Sequence, residues 1–284
     1  MIYMKNFNFE DFLKENYVIS KNILTNLYIN NEIEEYFNVE RHLIKGTNNW
    51  IILVKLEDYY KMFYSFNTEI VSDEQLEIKE MFYKLSEDIL ISDIICEFVY
   101  KREQNPLIKD ILEMLGFEAF INRVRMSRRQ KVEYEIYDSN EHVVVPALID
   151  QVDEIQELSS KVFDKYTSNL PSRNELEDTI RKKEILIIRN KNYNEFLGFI
   201  KYSINKNVAT IDQLIVKEKA RGLKIASKLV NYYLDKVVDA NSYRANLWVQ
   251  VGNKSARKLY ENNGYIYENL YSNSYLRKGE FNGK

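Results

Sequence analysis

The chain has 284 residues, 45% of them hydrophobic and 29% charged, and a formal net charge of −3. That length suits two domains or one large one, and the mildly acidic balance argues against nucleic acid as a partner, whose footprint is basic. Residues 1–7 lack the apolar run of a signal peptide and no stretch is long and apolar enough to span a bilayer, so a cytoplasmic protein with no membrane partner is expected.

In chain order, His42 comes first among the chemically versatile residues. Neither it nor His142 stands at metal-ligand spacing from the other or from Cys96, and no metal is expected. Residues 50–54 and 59–66 read as a hairpin. Cys96 is the only cysteine, so no internal disulfide can form, and the run Ile94-Ile95-Cys96-Glu97-Phe98-Val99 reads as a buried, inert thiol in a strand. A short helix follows over 105–115 and stops at Gly116. Basic residues cluster at Arg123, Arg125, Arg128 and Arg129; the alternation Arg123-Val124-Arg125-Met126 reads first as the wet face of a strand, with phosphate binding as the lesser alternative, and Val132, Tyr134 and Ile136 also alternate.

Beyond the join, helices are expected over 149–163 and, after Pro171, over 172–183. Strands are expected over 184–188, 196–204 and 208–216. A helix over 222–238, a strand over 244–251, a helix over 253–262 stopped at Asn263-Gly264, and strands over 265–270 and 274–277 complete the pattern. The stretch 105–117 aligns on 253–265 without gaps, at an offset of 148 from 105 to 253 and again from 116 to 264. We read this as an internal duplication, with a first domain at 1–138 and a second at 139–284. At that offset Arg221-Gly222 becomes Asp73-Glu74 and Tyr260 becomes Leu112. The first domain is therefore expected to keep the scaffold and lack the chemistry, since an acidic pair repels phosphate.

Two motifs carry chemistry. Val216 to Ser227 leaves a strand and opens a helix, and such a turn points successive main-chain N–H groups at one spot, where a diphosphate binds. Gly222 permits close approach, Arg221 adds charge, and Ala226 lets the helix pack near a ligand. The bland alternative is an ordinary loop-to-helix join. In the second motif, strand, Asn cap, short helix and Gly stop follow in order from Leu247 to Tyr265. Asn253 is a good N-cap in any case, Ala256 and Tyr260 share a helix face, and Tyr260 is equally a candidate core aromatic.

Together these motifs resemble the GCN5-related N-acetyltransferase (GNAT) superfamily over roughly 143–278. Arg221-Gly222-Leu223-Lys224-Ile225-Ala226 is similar to the family's Arg/Gln-x-x-Gly-x-Gly/Ala, departing from it at Lys224, where the family usually has Gly. Asn253, Ala256, Leu259, Tyr260, Gly264 and Tyr265 match the second family pattern fully. The resemblance implies an α/β (α+β) fold of tandem GNAT-like domains, each a mixed, mostly antiparallel twisted sheet flanked by helices with a splayed parallel strand pair. It implies acetyl-CoA as cosubstrate, held by main chain at Leu214, Ile215 and Val216, by the turn Arg221, Gly222, Leu223, Lys224, Ile225, Ala226 and Ser227, and by Asn253, Ala256 and Tyr260. Tyr260 would protonate the leaving thiolate. Asp212, expected to share a face with Thr210 and Leu214, is the candidate base, or else a polar residue at a strand edge. The expected acceptor is a small-molecule or peptide amine. A homodimer contact, and a non-catalytic acyl-CoA-binding or protein-interaction module, are the other readings carried forward.

Overall fold

The computed structural model describes residues 1–16, 23–26, 39–67, 72–101, 107–129, 141–168, 170–192, 194–239 and 242–279. The expected alternation at Val132, Tyr134 and Ile136 lies outside them, as do Asn105 and Pro106. Two compact units are formed: residues 1–122 with 271–284, and residues 123–270.

Unit 1 contains β1 (Ile2–Lys5), α1 (Phe9–Asn16), β2 (Ile23–Thr25), β3 (Arg41–Lys45), β4 (Trp50–Lys55), β5 (Tyr59–Asn67), α2 (Ser72–Tyr83), α3 (Glu87–Leu90), β6 (Asp93–Tyr100), α4 (Leu107–Met114) and the start of β7 (Glu118–Arg129). The run Trp-Ile-Ile-Leu-Val of β4 is buried on both faces, which makes it a central strand. It pairs with β5 as the hairpin read from the sequence. One core lies around Ile51, Leu53, Phe82 and Leu112, and a second around Phe9, Phe12, Trp50 and Ile52. Neighbours in the order β1-β3-β4-β5-β6 are antiparallel, except β5 and β6, which run parallel from Tyr59↔Asp93 to Met62↔Cys96. Cys96 is fully buried, and burial pushes its thiol up, as suits an inert side chain.

Unit 2 contains β8 (His142–Pro146), α5 (Val152–Val162), α6 (Arg173–Arg181), β9 (Ile185–Asn190), β10 (Phe196–Asn205), β11 (Val208–Val216), α7 (Ile225–Asp239), β12 (Arg244–Gln250), α8 (Lys254–Asn262) and the start of β13 (Ile266–Arg277). Ser172 caps α6, accepting from the Glu175 N–H, while the Glu175 carboxylate accepts from the Ser172 N–H at 2.6 Å. The sheet runs β8-β9-β10-β11-β12, antiparallel except for β11 with β12. Val152, Ile155, Leu176 and Ile180 of α5 and α6 pack on Ile185, Ile187, Phe199 and Ile215. Ile225, Leu229, Val230, Tyr233 and Leu234 of α7 are buried, and Tyr233 meets Tyr202 of β10 edge to face. Each unit is thus a mixed, mostly antiparallel sheet flanked by helices, with one parallel pair.

The compact units do not follow the division at 138/139. The outer edge of β12 is paired antiparallel by residues 123–129, from Gln250↔Arg123 to Arg244↔Arg129, and the outer edge of β6 by residues 271–277, from Tyr271↔Tyr100 to Arg277↔Ile94. Each unit finishes its sheet with a segment from the other half of the sequence. An unpaired edge needs a partner, but alternation alone does not say which strand supplies it. Arg128 belongs to the basic cluster of this segment, yet its side chain is buried. It is only 3% exposed, its Nη1 donating to the Asn263 carbonyl at 2.8 Å.

Helices α4 and α8 end alike. Gly264 N–H donates to Glu261 O and Tyr265 N–H to Tyr260 O, each at 3.0 Å; Gly116 N–H donates to Glu113 O at 3.0 Å and Phe117 N–H to Leu112 O at 2.9 Å. Both glycines hold left-handed backbone, φ 76° and 82°. These closures keep the offset of 148. The parallel ladders do not: Met62 and Cys96 answer Ile211 and Leu247, offsets of 149 and 151. The strand-to-helix connection is longer in unit 1, so the gap-free alignment holds for the helix and not for the strand before it.

Candidate active site

The site begins where β11 and β12 part. Their ladder runs from Val208↔Arg244 to Ile211↔Leu247 and ends there, while β11 continues to Val216 and β12 to Gln250. Leu214, Ile215 and Val216 pair on their other side with Ile200, Phe199 and Gly198 of β10. Their edge toward β12 therefore borders a gap in the sheet.

A bulge lies at that point. Tyr202 pairs with Ile211 and Lys201 with Gln213, leaving Asp212 as the extra residue. Cross-strand partners share a face, so Ile211 lies on the α7 side with Tyr202, and Gln213 on the α5 side, where Ser159 Oγ donates to its Oε1 at 3.4 Å. Asp212 accepts from Ser203 Oγ at 3.3 Å, which places its carboxylate on the α5 side with Gln213. Leu214, the partner of Ile200, faces the α7 side. The expectation that Asp212 and Leu214 share a face therefore fails, because the bulge interrupts the alternation between them. Asp212 is solvent-accessible, yet desolvation by surrounding protein pushes its carboxyl up to about 6, against the pull of Lys201 and the Ser203 hydrogen bond.

The turn after β11 is open. A 3₁₀ turn at Glu218–Ala220 leads into Arg221, Gly222, Leu223 and Lys224, all exposed, before α7 starts at Ile225. Gly222 has φ +81°, and a Cβ built there would meet nothing within 4 Å. Lys224 has φ 55°, a left-handed conformation that favours glycine, at the position where the resembled pattern has Gly. Lys228 N–H donates to Lys224 O, so the N–H groups of Ile225, Ala226 and Ser227 have no acceptor inside the helix. Nearby, Lys217 pairs with Glu154 at 2.7 Å and Lys219 with Glu195.

The second motif forms as read. Asn253 caps α8, its Oδ1 accepting from Ala256 N–H at 3.0 Å. That oxygen is committed to the helix, which leaves the amide nitrogen for any ligand. Ala256 is half-buried. Tyr260 is buried at 6% exposure, its ring 5.7 Å from that of Tyr265 at 63°, and desolvation pushes its phenol well above the usual range. A phenol so placed stays protonated at neutral pH and is a donor there.

A family model described as the acetyltransferase (GNAT) family matches residues 152–265, the segment holding the gap, the turn and α8. Over residues 152–265 the chain is similar to the GNAT acetyltransferase family. The fold is shared with solved GNAT structures. A GCN5-related N-acetyltransferase from Sphaerobacter thermophilus is 9% identical at TM-score 0.61, covering 84% of this chain and 82% of that one. A tandem GNAT protein from the clavulanic acid biosynthesis pathway is 8% identical at 0.59, covering 85% and 83%. A GNAT-family acetyltransferase from Colwellia psychrerythraea is 11% identical at 0.57, covering 98% and 100%. No curated protein matches the chain.

The GNAT gap of unit 2 has a counterpart in unit 1 with a different interior. There β5 and β6 stop pairing after Met62 and Cys96, and β2 pairs with the continuation of β5, from Thr25↔Ser65 to Ile23↔Asn67. Asn26 follows. Its Nδ2 donates to Met62 O and Glu97 O, each at 2.9 Å, and its Oδ1 accepts from Tyr64 N–H at 2.9 Å. Leu53↔Met62 answers Tyr202↔Ile211, and after the extra residue Asp212, Tyr64 answers Leu214. The main-chain donor of unit 1 that answers Leu214 is therefore occupied by the chain's own amide. Sequence reading missed Asn26, which no motif marks. It also missed the bulge at Asp212. Among the described residues no cluster of His, Cys, Asp and Glu suits a metal, and no helix is long and apolar enough to cross a membrane.

Proposed function

We propose that unit 2 transfers an acetyl group from acetyl-CoA to the amine of a small molecule or peptide, by direct attack in a ternary complex. The observation that carries this reading is the parting of β11 and β12 beside an exposed turn whose helical N–H groups lack helical acceptors. The diphosphate would sit on Arg221–Ser227 and the pantetheine arm in the gap. Main chain at Leu214–Val216 would polarise the thioester carbonyl. The amine nitrogen attacks that carbonyl and the C–S bond breaks. The amine's proton passes to Asp212, directly or through water, and the thiolate takes one from Tyr260. Positioning supplies much of the acceleration.

We further propose that unit 1 is a degenerate copy that binds no cofactor, supported by the shared helix closure, the parallel ladder and the gap filled by Asn26. Thiol release from acetyl-CoA with mixed primary amines tests the activity. Turnover that falls in Tyr260→Phe and Asp212→Asn is expected. Acetyl-CoA binding with no turnover on any amine would instead mark unit 2 as a non-catalytic acyl-CoA-binding module.

A further inference from the structure

Helix α5 lies over β11: Ile155 packs with Ile215, and Ser159 reaches Gln213. The chain leaving α5 then reaches Arg123, whose Nη2 donates to Thr167 Oγ1 at 2.6 Å and to Thr167 O at 3.3 Å. Arg123 sits in the strand paired to the far side of β12, opposite Gln250. Between Phe163 and Thr167 the chain therefore runs from above β11 toward the strand on the far side of β12, on the face that carries Asp212.

This segment is internally knotted. Asp164 Oδ1 accepts from Tyr166 N–H at 2.9 Å and Thr167 N–H at 2.8 Å, and its Oδ2 accepts from Thr167 Oγ1 at 2.8 Å and Ser168 Oγ at 3.0 Å. A knot of this kind fixes the shape of the segment but not its position. One contact that holds its far end comes from Arg123, a planar donor whose fork suits two acceptors on one residue. Arg123 lies outside residues 152–265, so the GNAT segment alone does not contain it.

We propose that Arg123 is a positioning residue for the acceptor amine. It anchors Asp164–Ser168 on the face that carries Asp212 and so sets the wall against which the amine approaches Asp212. The inference rests on the acetyltransferase reading for its catalytic consequence, and on geometry alone for the anchor.

The test uses the full chain with Arg123→Ala and Arg123→Lys. Hydrogen exchange of the Tyr166 and Thr167 amides is measured together with acetyl-CoA affinity and steady-state kinetics, with spermidine and a lysine-containing tripeptide as amine probes. In Arg123→Ala, these amides should exchange about tenfold faster while residues 247–250 are unchanged, and KM for the amine should rise about tenfold with acetyl-CoA affinity preserved. Arg123→Lys, which keeps a donor and the charge, should recover part of both effects. Unchanged exchange at Tyr166 and Thr167 overturns the anchor. Faster exchange in 247–250 together with weakened acetyl-CoA binding overturns positioning in favour of a general role in the sheet. Failure of the wild-type chain to bind acetyl-CoA strikes the acetyltransferase reading instead, and the exchange result still decides the anchor.

Discussion

In unit 1, β5 and β6 part after Met62 and Cys96; in unit 2, β11 and β12 part after Ile211 and Leu247. The two places share a ladder of the same length and differ in what lies beyond it. In unit 1 the side-chain amide of Asn26 ties Met62 and Tyr64 to Glu97. In unit 2 a bulge lifts Asp212 out of the ladder, and the turn that follows is open. The same strand arrangement can thus hold a ligand or hold itself together. The choice rests on a few polar groups rather than on the architecture.

Breaking the filled side should have the largest effect on stability. Asn26→Ala leaves a buried N–H and two carbonyls without their side-chain partner, at a cost of about 3 kcal/mol, seen as a lower denaturation midpoint. Acetyl-CoA affinity should be retained, because the open gap lies in the other unit. Restored stability in Asn26→Asp, which when ionised only accepts and cannot replace either donation, would contradict the assignment.

On the open side, Tyr260→Phe should lower kcat by about 100-fold with little change in acetyl-CoA affinity. An equal loss of binding would show the ring to be core and nothing more.

Asp212 sharpens the comparison through pH. Its carboxyl is pushed up to about 6, above the ordinary 3.8, so the proposed base is protonated below that pH. kcat/KM should fall about tenfold per unit there, and the limb should vanish in Asp212→Asn. The raised value also means that the folded state holds this proton more tightly than the unfolded chain. Its stabilising contribution is full below the unfolded value and lost as pH rises through 6. Asp212→Asn should then be slower at pH 7 yet no less stable.

The smallest effects concern the turn. Gly222→Ala should cost about 1 kcal/mol, through its left-handed backbone alone, since the added Cβ meets nothing. Lys224→Gly should lie within about 1 kcal/mol of wild type, relief of the same strain being offset by chain entropy.

Much of unit 2 was readable because its elements announce themselves. Pro171 and Ser172 open a helix, Asn253 opens another, and Gly264 closes it. The positions of the turn and of Tyr260 followed directly from these signals. What could not be read depends on partners distant in sequence. Residues 123–129 alternate as a strand should, but nothing in them names β12. The face of Asp212 was misjudged, because a bulge is a mismatch between two strands and is invisible in either alone. Asn26 carries its weight through three main-chain groups, and main chain leaves no mark in the sequence.

The central claim is that one gap is open and the other filled. Calorimetric titration of the full chain with acetyl-CoA tests it most directly. The account predicts one cofactor bound per chain, with affinity weakened by changes at Gly222 and unaffected by changes at Asn26. Two cofactors per chain, or none, would contradict it.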